Sequence, residues 1–279
     1  MRQILGALVA VTLLAAGGCD GSTDASPEPA PATSSTPTEP TATPPPRATP
    51  APRPAADACY DLTYDEAVAP TASMKTVPCK RRHSAQTYFV GEVANVVDGH
   101  LLAVDSDRVQ QHVAASCPAK LAAAVGGSRD DVRLSMLRAV WFTPTVEQSD
   151  EGAAWYRCDV VALAGAEELA DVRGSLEGIL DTDAGRNTYG MCGTAGPDEP
   201  GFTRVPCGDE HSWRAFSVID LPGGRYPGRP AVTQAGETPC QEAAADIADD
   251  PLDYEWGFEG PDAEQWAAGQ TFVRCWAPD

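Results

Sequence analysis

The sequence predicts an α+β fold of two divergent disulfide-bonded repeats, each a small antiparallel sheet with one helix, and three observations carry that expectation. One segment, Val77-Pro78-Cys79-x-x-x-His83-Ser84, returns as Val205-Pro206-Cys207-x-x-x-His211-Ser212. The cysteines recur in the same order, Cys59, Cys79, Cys117 and Cys158 in the first half and Cys192, Cys207, Cys240 and Cys275 in the second. Each half also alternates strand-like stretches rich in valine and aromatics with one Ala-rich stretch of helical period.

The first eighteen residues read as a signal peptide. Met1-Arg2-Gln3 opens the chain, an apolar run from Ile4 to Ala16 follows, and Gly17-Gly18 leads into Cys19. The run is short for a bilayer span. It resembles a bacterial lipoprotein signal, with Ala16 where leucine is usual, and the resemblance implies that Cys19 is acylated and becomes the first residue of the mature chain. The protein would then sit on the outer face of the cytoplasmic membrane, with the membrane as a partner through that lipid anchor. Residues 19–57 are mostly Pro, Thr, Ala and Ser and cannot bury enough apolar surface to offset the entropy of ordering. They are expected to form a disordered tether; roughly 38 residues in extended polyproline II reach at most about 120 Å.

Residues 58–164 form the first repeat. Lys75 to Cys79 and Thr87 to Val97 read as strands. Asp107 to Ala124 reads as a helix, with Asp107 as cap, Val109, Val113, Cys117 and Leu121 at helical spacing, Gly126-Gly127 as the stop, and Pro118 as a kink or break. Val132 to Phe142 and Ala153 to Leu163 alternate like two antiparallel strands joined by an acidic turn. Residues 165–187, with Gly165, Gly174, Gly178 and Gly185, read as a partly ordered connector. Residues 188–279 repeat the order in shorter form: Arg204 to Cys207 and Trp213 to Leu221 as strands, Gln234 to Ala248 as helix, Gln270 to Trp276 as closing strand. The far ends agree as well. Pro144-x-x-Glu147-Gln148 and Gly152-x-x-Trp155-x-Arg157-Cys158 align with Pro261-x-x-Glu264-Gln265 and Gly269-x-x-Phe272-x-Arg274-Cys275.

Of the nine cysteines, Cys19 stands apart and eight remain, an even number suited to an oxidising compartment. If both halves share one pattern, three pairings are open. Consecutive pairing closes the shortest loops: Cys59 with Cys79, Cys117 with Cys158, Cys192 with Cys207, and Cys240 with Cys275.

Formal net charge is −20, which makes nucleic acid and anionic lipid headgroups poor general partners. Lys75, Lys80, Arg81 and Arg82 form a local basic cluster that could meet an acidic wall polymer, or simply face solvent. A cysteine four residues before a histidine, twice over, suggests a thiol nucleophile with its base or half a zinc site. Both need a thiolate, and a disulfide is the better reading of Cys79 and Cys207. His83 and His211 are expected to be structural imidazoles bonded to a turn; as weak metal candidates they would need the repeats to bring them together. Ser84 and Ser212 lack a nucleophile elbow, no Gly-rich phosphate loop occurs, and no cofactor is expected.

The doubled Val-Pro-Cys-x-x-x-His, with Tyr88 and Val90 or Phe216 and Val218 downstream, and the Gly-x-x-x-x-x-Cys that closes each unit, resemble the actinobacterial septum formation domain family. Tyr226-Pro227-Gly228 fits too, and Gly174-Ser175-Leu176-Glu177-Gly178 looks like the stretch that connects paired units. The resemblance implies a role in cell division and carries no catalytic residues over. A non-enzymatic binding or scaffold protein is the leading expectation, with envelope or division proteins or wall polymer as partners. The alternatives are an enzyme acting on wall polymers, with His83 or His211 as general base, and a sensor ectodomain for a membrane partner.

Overall fold

The computed structural model describes residues 52–72 and 75–279; the leader, Cys19 and most of the tether lie outside the described residues. Along the chain run strand β1 (Cys59–Tyr60), helix α1 (Tyr64–Val68), β2 (Ala85–Glu92), β3 (Val96–Val97), β4 (His100–Leu101), α2 (Asp107–Val125), α3 (Arg129–Arg133), β5 (Leu137–Phe142), α4 (Val146–Asp150) and β6 (Trp155–Ala162). A 3₁₀ turn at Ile179–Asp181 precedes α5 (Asp183–Tyr189), β7 (Met191–Gly193), β8 (Arg204–Pro206), β9 (Trp213–Asp220), α6 (Arg229–Ile247), β10 (Gly257–Glu259), α7 (Ala263–Ala267) and β11 (Phe272–Pro278).

The fold is α+β. One sheet has the order β1-β2-β6-β5 and the other β8-β7-β9-β11-β10, all antiparallel. The two orders correspond. β1 and β7 carry the first cysteine of each half, β2 and β9 follow the motif histidine, β6 and β11 carry the last cysteine, and β5 and β10 precede the Pro-x-x-Glu-Gln segment. That segment caps a short helix in both places: Thr145 and Gln148 form a reciprocal capping box on α4, as Asp262 and Gln265 do on α7.

One long helix packs on each sheet. α2 buries Val109, Val113, Cys117, Leu121 and Val125, and α6 buries Val232, Gly236, Cys240 and Ala244, both at a spacing of four that keeps one face inward. α6 approaches its sheet closely, because a side chain at Gly236 would meet Val273 at 2.9 Å. Four disulfides join Cys59–Cys79, Cys117–Cys158, Cys192–Cys207 and Cys240–Cys275. Two of them close a sheet edge; the other two fasten the long helix to the strand beneath it. Each restricts the unfolded chain by about 2–4 kcal/mol.

The halves share backbone and core. Met136 N–H donates to Tyr189 O and Met191 N–H to Leu134 O, each at 2.7 Å. Met136, Met191, Ala215 and Trp276 bury one another in a single apolar cluster. Residues 165–187 pack tightly against the first half: Val172, Leu176 and Leu180 are at most 1% exposed and join Leu121, Leu137 and Val160. Gln86 reaches across to accept from Leu176 N–H at 2.7 Å.

Several local expectations change for identifiable reasons. Lys75 to Cys79 gives only a bridge between Val77 and Cys59, since Pro78 has no N–H to extend the ladder. The strand expected to Val97 ends at Glu92, and Val96–Val97 folds against His100–Leu101 through Asp98-Gly99. Both turn residues have positive φ, 51° and 79°, as a type I′ hairpin requires. Val132 to Phe142 starts as helix α3, because Ser128 and Asp131 form a capping box, and becomes strand at Leu137. Ser106, rather than Asp107, takes the cap position of α2, and that helix runs unbroken through Pro118. α6 begins five residues before Gln234, with Pro230 in its first turn, where a missing N–H costs nothing.

Candidate functional site

The doubled motif builds the same turn twice. Arg81 N–H donates to Pro78 O at 2.8 Å, and Asp209 N–H to Pro206 O at 2.9 Å. The histidine then closes the turn: His83 Nδ1 lies 2.9 Å from Arg81 O and His211 Nδ1 lies 2.7 Å from Asp209 O. A carbonyl only accepts, so Nδ1 carries the proton in both rings. The serine after each histidine continues the register, with Ser84 N–H donating to Tyr60 O and Ser212 N–H to Gly193 O. The cysteine of each turn is oxidised, Cys79 to Cys59 and Cys207 to Cys192. Cys79 and Cys207 therefore offer no thiolate to a substrate or a metal.

The two imidazoles differ at their outer nitrogen. His83 is fully buried, and its Nε2 has no hydrogen-bond partner. His211 Nε2 lies 3.0 Å from Asp279 Oδ2, which also accepts from Arg214 Nε at 2.6 Å. Burial pushes the Asp279 carboxyl up, but the bonds from Arg214 and His211 outweigh it and hold the group below the ordinary carboxylate value. Cys192, His211 and Asp279 gather closely enough to suggest a metal triad, yet the Cys192 sulfur is bonded to Cys207. A histidine and one carboxylate remain there, already engaged with Arg214.

Both turns border one cleft of about 400 Å³, to which Arg82 contributes from the first and Pro206, Gly208 and Asp209 from the second. Neither histidine is in its lining. Arg82 pairs with Asp171 at the rim, and Lys75, Lys80 and Arg81 are exposed. His100 and His112 are exposed as well. Trp155, Trp266 and Trp276 are buried, whereas Trp141, Trp213 and Trp256 are half-buried.

Two arginines at corresponding positions were not read as special from the sequence. Arg157 is fully buried on β6 and pairs with Asp159 at 3.0 Å, also fully buried, while its guanidinium lies over the Tyr60 ring at 3.9 Å and the Phe142 ring at 4.5 Å. Thr87 Oγ1 donates to Asp159 Oδ1 at 2.8 Å. Burial pushes the Asp159 carboxyl up to about 6, against the pull of Arg157 and Thr87. In the second half Arg274 takes the place of Arg157, and Trp276 that of Asp159. Arg274 thus lacks the adjacent acid and lies instead in a cleft of about 480 Å³ with Arg138 and Arg204. The aligned triplets Arg157-Cys158-Asp159 and Arg274-Cys275-Trp276 are the signal that could have drawn attention to it.

The family model described as "Septum formation" matches residues 56–275, which takes in every described disulfide and both motif turns. The chain belongs to the septum formation family. No curated protein and no solved structure gave a match. In this septum formation protein the doubled motif serves first as a pair of disulfide-closed, histidine-pinned turns.

Proposed function

We propose that the protein is a membrane-anchored envelope component that acts outside the cytoplasm in septum formation, as a binding or scaffold protein rather than a catalyst. The observation that carries this reading is the family match across residues 56–275. An extracytoplasmic site is supported by the four disulfides, which persist in oxidising compartments. Anchorage is supported by the leader pattern before Cys19 and by the Pro/Thr-rich stretch that follows it. A binding role is supported by the chemistry of the motif: its cysteine sulfurs are bonded, and each histidine spends Nδ1–H on its own turn. Its partners are division or wall-assembly proteins, or an envelope polymer.

Time-lapse imaging of the protein fused to a fluorophore that folds outside the cytoplasm tests the proposal. Enrichment at the nascent septum, lost when Cys19→Ala removes the acylation site, is the expected outcome. An even rim throughout the division cycle would overturn the link to septation.

A further inference from the structure

Three guanidinium groups converge on the cleft between the two halves, and two of them share one carboxylate. Arg204 Nε donates to Glu259 Oε2 at 3.1 Å, and Arg274 Nη1 lies 3.8 Å from the same oxygen. Arg138, from β5 of the other sheet, makes no ion pair among the described residues; its Nη1 donates to Ser135 O and Leu137 O. Three positive charges against one negative leave an excess of two, in a protein whose net charge is −20. The Arg274 side chain is 6% exposed, so water screens this repulsion poorly. At the same rim Gln270 Nε2 is buried and has no hydrogen-bond partner. A buried donor without an acceptor costs about 1–3 kcal/mol.

The proton balance agrees with the geometry. Burial, with Arg138, Arg204 and Arg133 adding to it, pulls the Arg274 guanidinium down to about 8, and burial with Arg204 pulls Arg138 down to about 10. Guanidinium groups do not give up the proton in proteins. The site carries the cost as unrelieved repulsion, and a bound anion would remove it.

We infer that this cleft binds a phosphate group, held by Arg138, Arg204, Arg274 and Gln270, with the organic part of a phosphate monoester lying on Phe202 and Met136. A dianion matches the excess of two charges, and planar guanidinium forks suit phosphate oxygens. The cleft's size exceeds what phosphate alone would fill, and its apolar wall gives a non-polar body somewhere to lie. Arg138 comes from one half, while Arg204, Arg274 and Gln270 come from the other, so the ligand would bridge them. Binding here does not depend on where in the cell the protein acts.

Isothermal titration of the purified full chain with inorganic phosphate, at low ionic strength and about pH 7.5, tests the inference, with succinate as the dicarboxylate control. Phosphate is expected to give saturable binding at least tenfold tighter than succinate. Arg204→Gln should weaken it tenfold or more. Glu259→Gln should tighten it, because the variant removes the competing carboxylate, and a gain in affinity cannot come from damage to the fold. Absence of saturable heat, equal affinity for succinate, or weaker binding by Glu259→Gln would each overturn the assignment.

Discussion

His83 and His211 hold the same bond to their own turn but stand in different surroundings, and their substitution should separate the two. His83→Ala removes a fully buried ring and its turn bond, so urea unfolding should show a loss of about 2–4 kcal/mol. At His211, whose side chain is 18% exposed, the loss to alanine should stay near 1 kcal/mol. Equal losses would mean that the turn bond, not the burial, sets the cost. Asp159 makes a prediction about acidity. The folded state holds its proton more tightly than the unfolded chain does, about 6 against 3.8. Its contribution to folding is therefore complete below the unfolded value and is lost as pH rises through about 6. The stability of the protein relative to Asp159→Asn should fall by an amount on the order of 2–3 kcal/mol between about pH 4 and pH 7. Denaturation midpoints of the two proteins at several pH values would check it, and a flat difference would refute it.

Helices α2 and α6 each hang on one disulfide to the strand beneath, and α2 also receives a hydrogen bond from Tyr88 Oη to Cys117 O at 2.7 Å. Replacing Cys117 and Cys158 together by alanine should cost about 2–5 kcal/mol in chemical unfolding. Loss of the capping boxes is a smaller event: Thr145→Ala and Asp262→Ala should each cost about 1 kcal/mol. At this scale the sequence was most legible where periodicity was long. The inward face of α2 follows directly from Val109, Val113, Cys117 and Leu121, and β6 from the alternation after Ala153. Short elements were harder to read, because their signals are single residues. The capping pair Ser128 and Asp131 decided helix over strand at α3, and Asp98-Gly99 cut a hairpin out of an apparently continuous strand. The helical reading from Gln234 left out the first turn of α6, which holds Pro230.

The repeat let the two sheets be read in outline, but the seam between them is not periodic and left no trace in the pattern. Leu134 to Met136 pairs with Tyr189 to Met191, and Trp276 closes over Met136, through contacts more than fifty residues apart in sequence. The arginine cleft was hidden for the same reason, since Arg138, Arg204 and Arg274 meet only when the halves do. Because Trp276 and Met191 depend on Met136 for burial, residues 188–279 expressed alone should lack fixed tertiary packing, visible as a collapsed near-ultraviolet circular dichroism signal. A fully native spectrum would show that the seam is dispensable. The disulfides have a further consequence in the order of synthesis. Every cysteine from Cys59 onward is bonded to its immediate neighbour in the chain, so a polypeptide emerging N-terminus first can be oxidised two thiols at a time without reshuffling. Such a scheme is sensitive to one extra thiol at the front. An unmodified Cys19 would capture Cys59, and each later cysteine would then find the wrong mate, ending with Cys275 alone; blocking or removing that first sulfur keeps the whole series in step.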